Sequence, residues 1–406
     1  MSAEQVGGDK NYFIYDQYGD NTMPPVGPIG LVSLQISDDL SDAVNYHLRN
    51  RRSTYLAKHP ELTQNPGFIR LDYRLNYDIE RFPSGEGKAV IHQSVRGHDL
   101  FIITDVLNYS VEYTRFGKSV STSPDDHFQN LIRVILATAG QARRINLVMP
   151  YLYEARQYHR TARESLDCAH MLQELDKLGV DNIITFDAHD ARVANAIPLR
   201  SFESIPTSFQ IIESLLTSVP DLDLVPGRFM VVSPDETSIA RCMYYASMME
   251  VPLGIYYRQF DHSKIVNGRN PIIAYSFLGE DVSGQDVLVV DDMIMTGNTM
   301  LRIARDLKAK GARRVFCAAS FALMTNGIKE IQQAYDEGVI NKVVSTNLIY
   351  RPEELRQAPF FTEVDMSRFV ALLIDAINHD ASLSTLITPT IKITKLLDYH
   401  RRRTQL

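Results

Sequence analysis

Short, largely apolar runs recur along this chain, and each is followed by a segment whose apolar residues return every three or four positions. Leu100–Ile103, Ile145–Met149, Ile183–Phe186, Phe229–Ser233, Val287–Val290 and Val315–Ala319 are such runs. A strand that is apolar on both faces needs cover on both, and parallel sheets between helices provide it. The intervening segments have the matching pattern. Leu131, Ile132, Ile135 and Ala139 share one helix face after Pro124-Asp125-Asp126, and Met300, Ile303, Ala304 and Leu307 share another before Gly311. Ile29–Ile36 reads as the first strand, with Ser37 or Asp38 capping a helix that carries Leu40, Val44 and Leu48. The expected fold class is α/β, with largely parallel sheets flanked by helices.

The pattern also occurs twice. Val95-Arg96-Gly97-His98-Asp99, four apolar residues and Thr104-Asp105 match Val282-Ser283-Gly284-Gln285-Asp286, four apolar residues and Asp291-Asp292. After each comes a helix, then Ala142-Arg143-Arg144 or Ala312-Arg313-Arg314, then another strand. Two matches in one order point to a duplicated α/β domain. The expected division is a flexible extension over 1–27, domains over 28–204 and 205–377, and a tail over 378–406. A length of 406 residues suits two domains.

Composition removes several function classes. The formal net charge is −7, which argues against a general nucleic-acid binder. The basic cluster His400–Arg403 reads as a solvated terminus. No apolar run reaches the ~18 residues needed to cross a bilayer. Met1–Asp20 lacks an apolar signal-peptide core, so a cytoplasmic protein without membrane contact is expected. Cys168, Cys242 and Cys317 form no close pair and read as reduced core thiols.

The chemistry concentrates in Val287–Thr299. A buried strand ends in Asp291-Asp292, a short turn holds Thr296 and Gly297, and a helix begins at about Thr299. A helix N-terminus offers backbone N–H groups and positive potential to a phosphate. Gly297 permits close backbone approach, and the hydroxyls of Thr296 and Thr299 add donors. The carboxylates suit sugar hydroxyls and a cation. An ordinary tight turn and helix cap is the plainer alternative. His189, in Asp187-Ala188-His189-Asp190, stands at another strand's C-terminal end, the ligand-binding edge of a parallel sheet. Asp235 follows Pro234 and can cap the helix carrying Ile239, Met243 and Ala246.

These segments resemble the ribose-phosphate pyrophosphokinases (phosphoribosyl-pyrophosphate synthetases). Val287–Thr299 is similar to their phosphoribosyl-pyrophosphate motif. Phe82–Glu86 followed by Ser94–Gly97, Met149–Gln157, Ile184–His189 and Val232–Asp235 are similar to four further motifs of that family, in order, from about Pro28 to about Ile377. The chain carries more than the typical pattern, with inserts near 50–75 and 108–125. The resemblance implies two tandem type I phosphoribosyltransferase-like domains. It implies transfer of the pyrophosphoryl group of ATP to the anomeric hydroxyl of ribose 5-phosphate, with Mg²⁺, giving phosphoribosyl pyrophosphate and AMP for nucleotide biosynthesis. It further implies an even-numbered homo-oligomer, the hexamer being the family's case.

Residue by residue, the resemblance implies that Phe82, Ser84 and Glu86 bind adenine from a neighbouring subunit, and that Arg156 and Gln157 contact ATP. His189 and Asp235 would hold magnesium with ATP. Asp291, Asp292, Thr296, Gly297, Asn298 and Thr299 would hold ribose 5-phosphate. The pattern departs at a mobile loop, where Arg258 occupies the catalytic lysine's place and Lys264 is the nearby substitute. Met295 replaces an aspartate, Asn298 a glycine and Tyr158 an aspartate, and Asp235–Ser238 lacks the glycines of the family's turn. The alternative these departures support is a non-catalytic regulatory homologue that binds nucleotide or sugar phosphate and associates with an active synthetase.

Overall fold

The computed structural model describes residues 24–260, 263 and 272–404. It divides into two compact units. The first takes the chain up to Thr185, Asp190–Pro206 and Ser367–Lys392; the second takes Phe186–His189, Thr207–Met366 and Ile393–Leu406. The extension expected over 1–27 lies mostly outside the described residues.

The first unit runs β1 (Ile29–Leu34), α1 (Asp38–Lys58), the hairpin β2 (Tyr77–Arg81) and β3 (Gly87–Ile91), then β4 (Asp99–Thr104). A second hairpin, β5 (Glu112–Arg115) and β6 (Lys118–Ser121), precedes α2 (Pro124–Ala137), β7 (Arg144–Val148), α3 (Asp167–Lys177), β8 (Asn182–Phe186) and β9 (Ser201–Ile205). Its main sheet has the order β1-β4-β7-β8-β9. All six residues of β4 are buried, as a central parallel strand requires. Helix α2 starts where the sequence signals it, because Ser123 and Asp126 form a reciprocal capping box around Pro124.

The second unit adds α4 (Ser208–Ser218), β10 (Phe229–Ser233), α5 (Ile239–Met249), β11 (Leu253–Phe260), β12 (Ile272–Leu278), β13 (Asp286–Ile294), α6 (Asn298–Ala309), β14 (Arg314–Ala322), α7 (Lys329–Asp336), β15 (Lys342–Thr346), α8 (Glu353–Arg356) and β16 (Phe361–Val364). Its sheet order is β12-β11-β10-β13-β14-β15-β16. The chain then forms α9 (Ser367–Asn378), α10 (Ser384–Ile387) and α11 (Thr390–Thr404).

The repeat read from sequence is a repeat of structure. Asp99 pairs in register with Arg144 across β4 and β7, as Asp286 does with Arg314 across β13 and β14. The Arg144 guanidinium grips Asp99 at 2.9 and 2.8 Å, and Arg314 grips Asp286 at 3.1 and 2.7 Å. Gly97 and Gly284 both turn at φ 73°, a left-handed conformation that leaves glycine unstrained. One difference separates the two sheets. In the first, strand order follows chain order throughout. In the second, the chain leaves β10 toward β11 on one side and returns to β13 on the other. Loops on either side of such a reversal splay apart and open a crevice at the carboxyl ends of the strands.

Two segments depart from expectation. Ser367–Lys392, read as the end of the second domain and the start of a tail, groups with the first unit. Helix α9 packs on α1 there, and Asp375 accepts from Arg51 at 2.6 Å and Arg52 at 3.0 Å. Asn378 donates to Asp99 at 2.7 Å and to the Gly27 carbonyl at 3.0 Å. The basic cluster His400–Arg403 is only partly the solvated end expected: Arg402 and Arg403 are exposed, but the other two are held. It lies on α11, where buried His400 donates to the Leu222 carbonyl at 2.7 Å and Arg401 pairs with Glu250 at 2.8 Å.

His127, wholly buried on α2, donates from Nε2 to the Asn108 carbonyl at 2.8 Å, while its Nδ1 has no hydrogen-bond partner. Burial pushes its pKa below the ordinary value; Asp126 works against that shift and the charge of Arg81 adds to it. The folded state therefore holds His127 neutral, while the unfolded chain protonates near pH 6.5. Its contribution to stability is complete above that pH and declines as the pH falls. Thermal melts between pH 7 and 5 should show a falling midpoint, and a His127→Gln variant, which keeps a donor but cannot titrate, should show a shallower fall.

Candidate active site

The crevice at the β10–β13 reversal is lined by carboxylates for a structural reason. β10 pairs with β13 only as far as Val232 and Val289, whereas β14 follows β13 out to Ile294. The sequence reading ends this strand at the acidic pair; in the structure β13 runs through it. Asp291 and Asp292 thus lie on a strand supported on one side and open on the other.

Each carboxylate has its own surroundings. Asp291 Oδ1 accepts from Ser238 Oγ at 2.6 Å and from the Asp292 backbone N–H at 2.9 Å. Burial, reinforced by the charge of Asp292, pushes Asp291 up to about 7. Asp292 is itself buried, but a 2.7 Å hydrogen bond from His189 Nδ1 and the charge of Arg241 overcome that and hold it below the usual carboxylate range. One member of the pair is thus a firm anion and the other stands near neutrality, able to accept from or donate to hydroxyls.

His189 reaches Asp292 because the chain turns sharply after β8. Asp187 sits at φ 41°, an uncommon left-handed position for a side-chain-bearing residue. Its Oδ2 holds the turn by accepting from the Thr207 backbone N–H at 3.0 Å, Thr207 Oγ1 at 2.6 Å and Ser320 Oγ at 2.6 Å. Asp235 Oδ1 accepts from Thr237 Oγ1 at 2.6 Å and from the backbone N–H groups of Thr237 and Ser238 at 2.9 and 3.3 Å. Asp235 therefore closes the turn before α5 and does not cap it, since the N-cap is Ser238 and no side chain caps that end. Among the described residues no three His, Cys, Asp or Glu side chains are gathered to cage a metal ion.

The turn after β13 has the form expected of a phosphate cradle. Gly297 at φ 84° is the N-cap of α6, and no side chain caps that end. That left-handed backbone strains any side chain, and a Cβ there would also come within 2.8 Å of Ile331 Cδ1, so glycine is favoured. Thr296 Oγ1 accepts from the Asn298 backbone N–H at 3.3 Å, and Asn298 and Thr299 are exposed. Asn298 is the first helical residue with no positive φ, so replacing a glycine there strains nothing. None of Asp235–Ser238 takes a positive φ either, which explains how that turn dispenses with glycine.

Arg241 completes the cluster, and sequence reasoning missed it. Its Nη2 donates to the Asp187 carbonyl at 3.4 Å, its Nε lies 3.9 Å from Asp187 Oδ1, and its side chain is 17% exposed. The signal was the helix face. The sequence reading gave α5 an inner face of Ile239, Met243 and Ala246, yet Met243 is 56% exposed and Cys242, Tyr245, Ala246 and Met249 are buried. Arg241 lies one turn from Ser238 and Tyr245, on the inward side.

The residues expected at ATP lie in the first unit. Phe82, Ser84 and Glu86 form the exposed tip of the β2–β3 hairpin, where the Phe82 N–H donates to the Glu86 carbonyl at 2.9 Å and Ser84 Oγ to Glu86 Oε2 at 2.9 Å. Arg156 and Gln157 are exposed in a turn beyond β7. The turn is anchored by Tyr153, which stacks on Phe128 at 4.7 Å and donates to Asp125 at 2.5 Å. Arg258, expected in a mobile loop, has its backbone in β11, in register with Tyr275 of β12. Lys264 lies outside the described residues.

Known proteins match the chain along most of this length. The N-terminal domain of ribose phosphate pyrophosphokinase matches residues 30–179, and the phosphoribosyl transferase domain matches residues 200–350. A ribose-phosphate pyrophosphokinase of Parasynechococcus marenigrum is 30% identical over 310 residues, covering 76% of this chain and 84% of its own. One from Vibrio parahaemolyticus is 28% identical over 315 residues, covering 76% and 90%. The solved phosphoribosylpyrophosphate synthetase of Mycobacterium smegmatis shares the fold, with a TM-score of 0.66 at 20% identity, over 87% of this chain and all of that one. No helix among the described residues is long and apolar enough to cross a membrane.

Proposed function

The chain belongs to the ribose-phosphate pyrophosphokinase family, and on that premise we propose that it transfers the pyrophosphoryl group of ATP to the anomeric hydroxyl of ribose 5-phosphate. The observation that carries this reading is the juxtaposition, in one crevice, of the Asp291-Asp292 pair and the uncapped start of α6 at Gly297. The helix end suits the 5-phosphate, and the carboxylates suit the ribose hydroxyls. ATP falls to Phe82, Ser84, Glu86, Arg156 and Gln157, and the cationic help expected of the loop falls to Arg258 and Lys264. Little covalent work is asked of the protein: two anions must be aligned and charge neutralised as AMP leaves.

Of the two residues that the resemblance implies for magnesium, Asp235 offers the oxygen donor that suits it and His189 adds an imidazole nitrogen. Carboxylate oxygens are what a hard divalent cation takes, and magnesium commonly binds through one or two of them together with substrate phosphates. His189 and Asp235 would hold it, and when bound it neutralises phosphate charge. An even-numbered homo-oligomer and a place in the cytoplasm belong to this reading.

The test is AMP release by the full chain with Mg-ATP, with and without ribose 5-phosphate, beside an Arg258→Ala variant. The proposal expects AMP that depends on the sugar phosphate and falls at least tenfold in the variant. Arg258 also favours a second reading, because a guanidinium cannot deprotonate or mimic a compact ammonium. Ligand binding without AMP would establish that reading, a regulatory homologue.

A further inference from the structure

The inserted hairpin β5–β6 breaks a local rule where it meets the nucleotide loop. Arg115 pairs with Lys118, so Phe116-Gly117 is a two-residue turn. Both residues have positive φ, 47° and 75°. Turns of this type favour Asn-Gly, because a side chain such as phenylalanine is strained in the left-handed region. Phe116 accepts that strain and buries little in return, being 79% exposed. Neither turn formation nor core packing accounts for the choice.

The hairpin is fastened to the Phe82–Glu86 tip. The Phe116 N–H donates to the Pro83 carbonyl at 3.1 Å. Arg115 lies across Gly85, where a Cβ would fall 2.9 Å from Arg115 Cδ. Arg81 places its guanidinium 4.6 Å from the centre of the Tyr113 ring and donates to the Gly85 carbonyl at 3.0 Å. Phe82, on the same tip, is itself 44% exposed. Two exposed aromatic side chains thus stand on two hairpins joined by a backbone hydrogen bond.

We propose that Phe116 is a second aromatic contact for the nucleobase of ATP, presented by the inserted hairpin beside Phe82. This rests on the reading of Phe82–Glu86 as the nucleotide loop. Stacking on an aromatic side chain tolerates any flat base, and two rings hold a base better than one. The strained turn is the cost of placing a large ring where asparagine would fold more easily.

Phe116→Asn tests this directly, because it installs the residue the turn prefers. The full-length variant should melt at or above the wild-type temperature, yet bind Mg-ATP about tenfold more weakly by calorimetry, the loss expected from removing one stacking partner. Binding of inorganic tripolyphosphate, which has no base, should not change, and Phe116→Tyr should retain ATP affinity. If Phe116→Asn binds ATP as the wild type does while Phe82→Ala weakens it, the proposal is overturned and the nucleotide loop stands. If both variants bind ATP unchanged, or the wild type binds none, the nucleotide-loop reading fails and this proposal with it. A loss for tripolyphosphate equal to that for ATP would make the role structural and also overturn it.

Discussion

Asp291→Asn and Asp292→Asn should both lower sugar-dependent AMP release by about 10²-fold or more, yet move stability in opposite directions. Asp291 has a folded pKa of about 7, pushed up by burial and by its neighbour. In the unfolded chain it ionises near 3.9. The folded state therefore binds the proton more tightly, and the associated stability is present at low pH and lost as the pH rises from about 4 through 7. At pH 8 the ionised group is a net burden, so a neutral asparagine should raise the melting temperature. Asp292 is the reverse case: His189 and Arg241 hold it below the usual range, and its charge supports them. Its replacement should lower the melting temperature. Melts of the two single variants at pH 8, with AMP assays beside them, check both halves. A lower melting point for Asp291→Asn would show that the two carboxylates are not in the electrostatic relation described.

Arg241→Met should be the most destabilising single change in the crevice, by roughly 3 kcal/mol, the loss typical when one partner of a buried charge group is removed. Its guanidinium faces Asp187, Asp291 and Asp292, and without it three carboxylates crowd a largely buried site. Lysine should recover only part, because a compact ammonium cannot span the Asp187 carbonyl and carboxylate as the planar fork does. If the Asp187 contact is the important one, Asp187→Asn should couple with Arg241→Met in a double-mutant cycle by 0.5 kcal/mol or more. Strict additivity of the two would assign the loss to the acidic pair instead. Activity should fall with either change, since Asp187 fixes the turn that brings His189 to Asp292.

What the sequence made legible, and what it did not, follows from the range of the interactions. The apolar runs and the duplicated Gly-x-Asp and Ala-Arg-Arg segments are local patterns, and they foretold both sheets. Even the Asp99–Arg144 and Asp286–Arg314 pairs stand at matching places in the two copies. Strand order is not local, so the reversal at β10 was invisible, although it is what opens the crevice. The inward turn of Arg241 was missed because the inner face of α5 was assigned from hydrophobicity. The crevice buries a charge there, and Met243 is turned to solvent. Arg258 was assigned to a loop from its place in a motif, and strand pairing with β12 extends the sheet over that position. The return of α9 could not be seen at all, because its anchors are carried by residues more than 300 positions away in the chain.

That return bears on how the protein is made. Arg52, 1% exposed, receives its carboxylate partner from Asp375, 323 residues later. At typical synthesis speeds of 5–20 residues per second, the arginine waits roughly 15 to 65 s for that partner to leave the ribosome. The N-terminal unit is thus translated first, yet it stays incomplete until nearly the whole chain has been made. A chain cut short before Ser367 would expose an unfilled seam on α1, a mark by which chaperones and proteases can tell an unfinished molecule from a finished one.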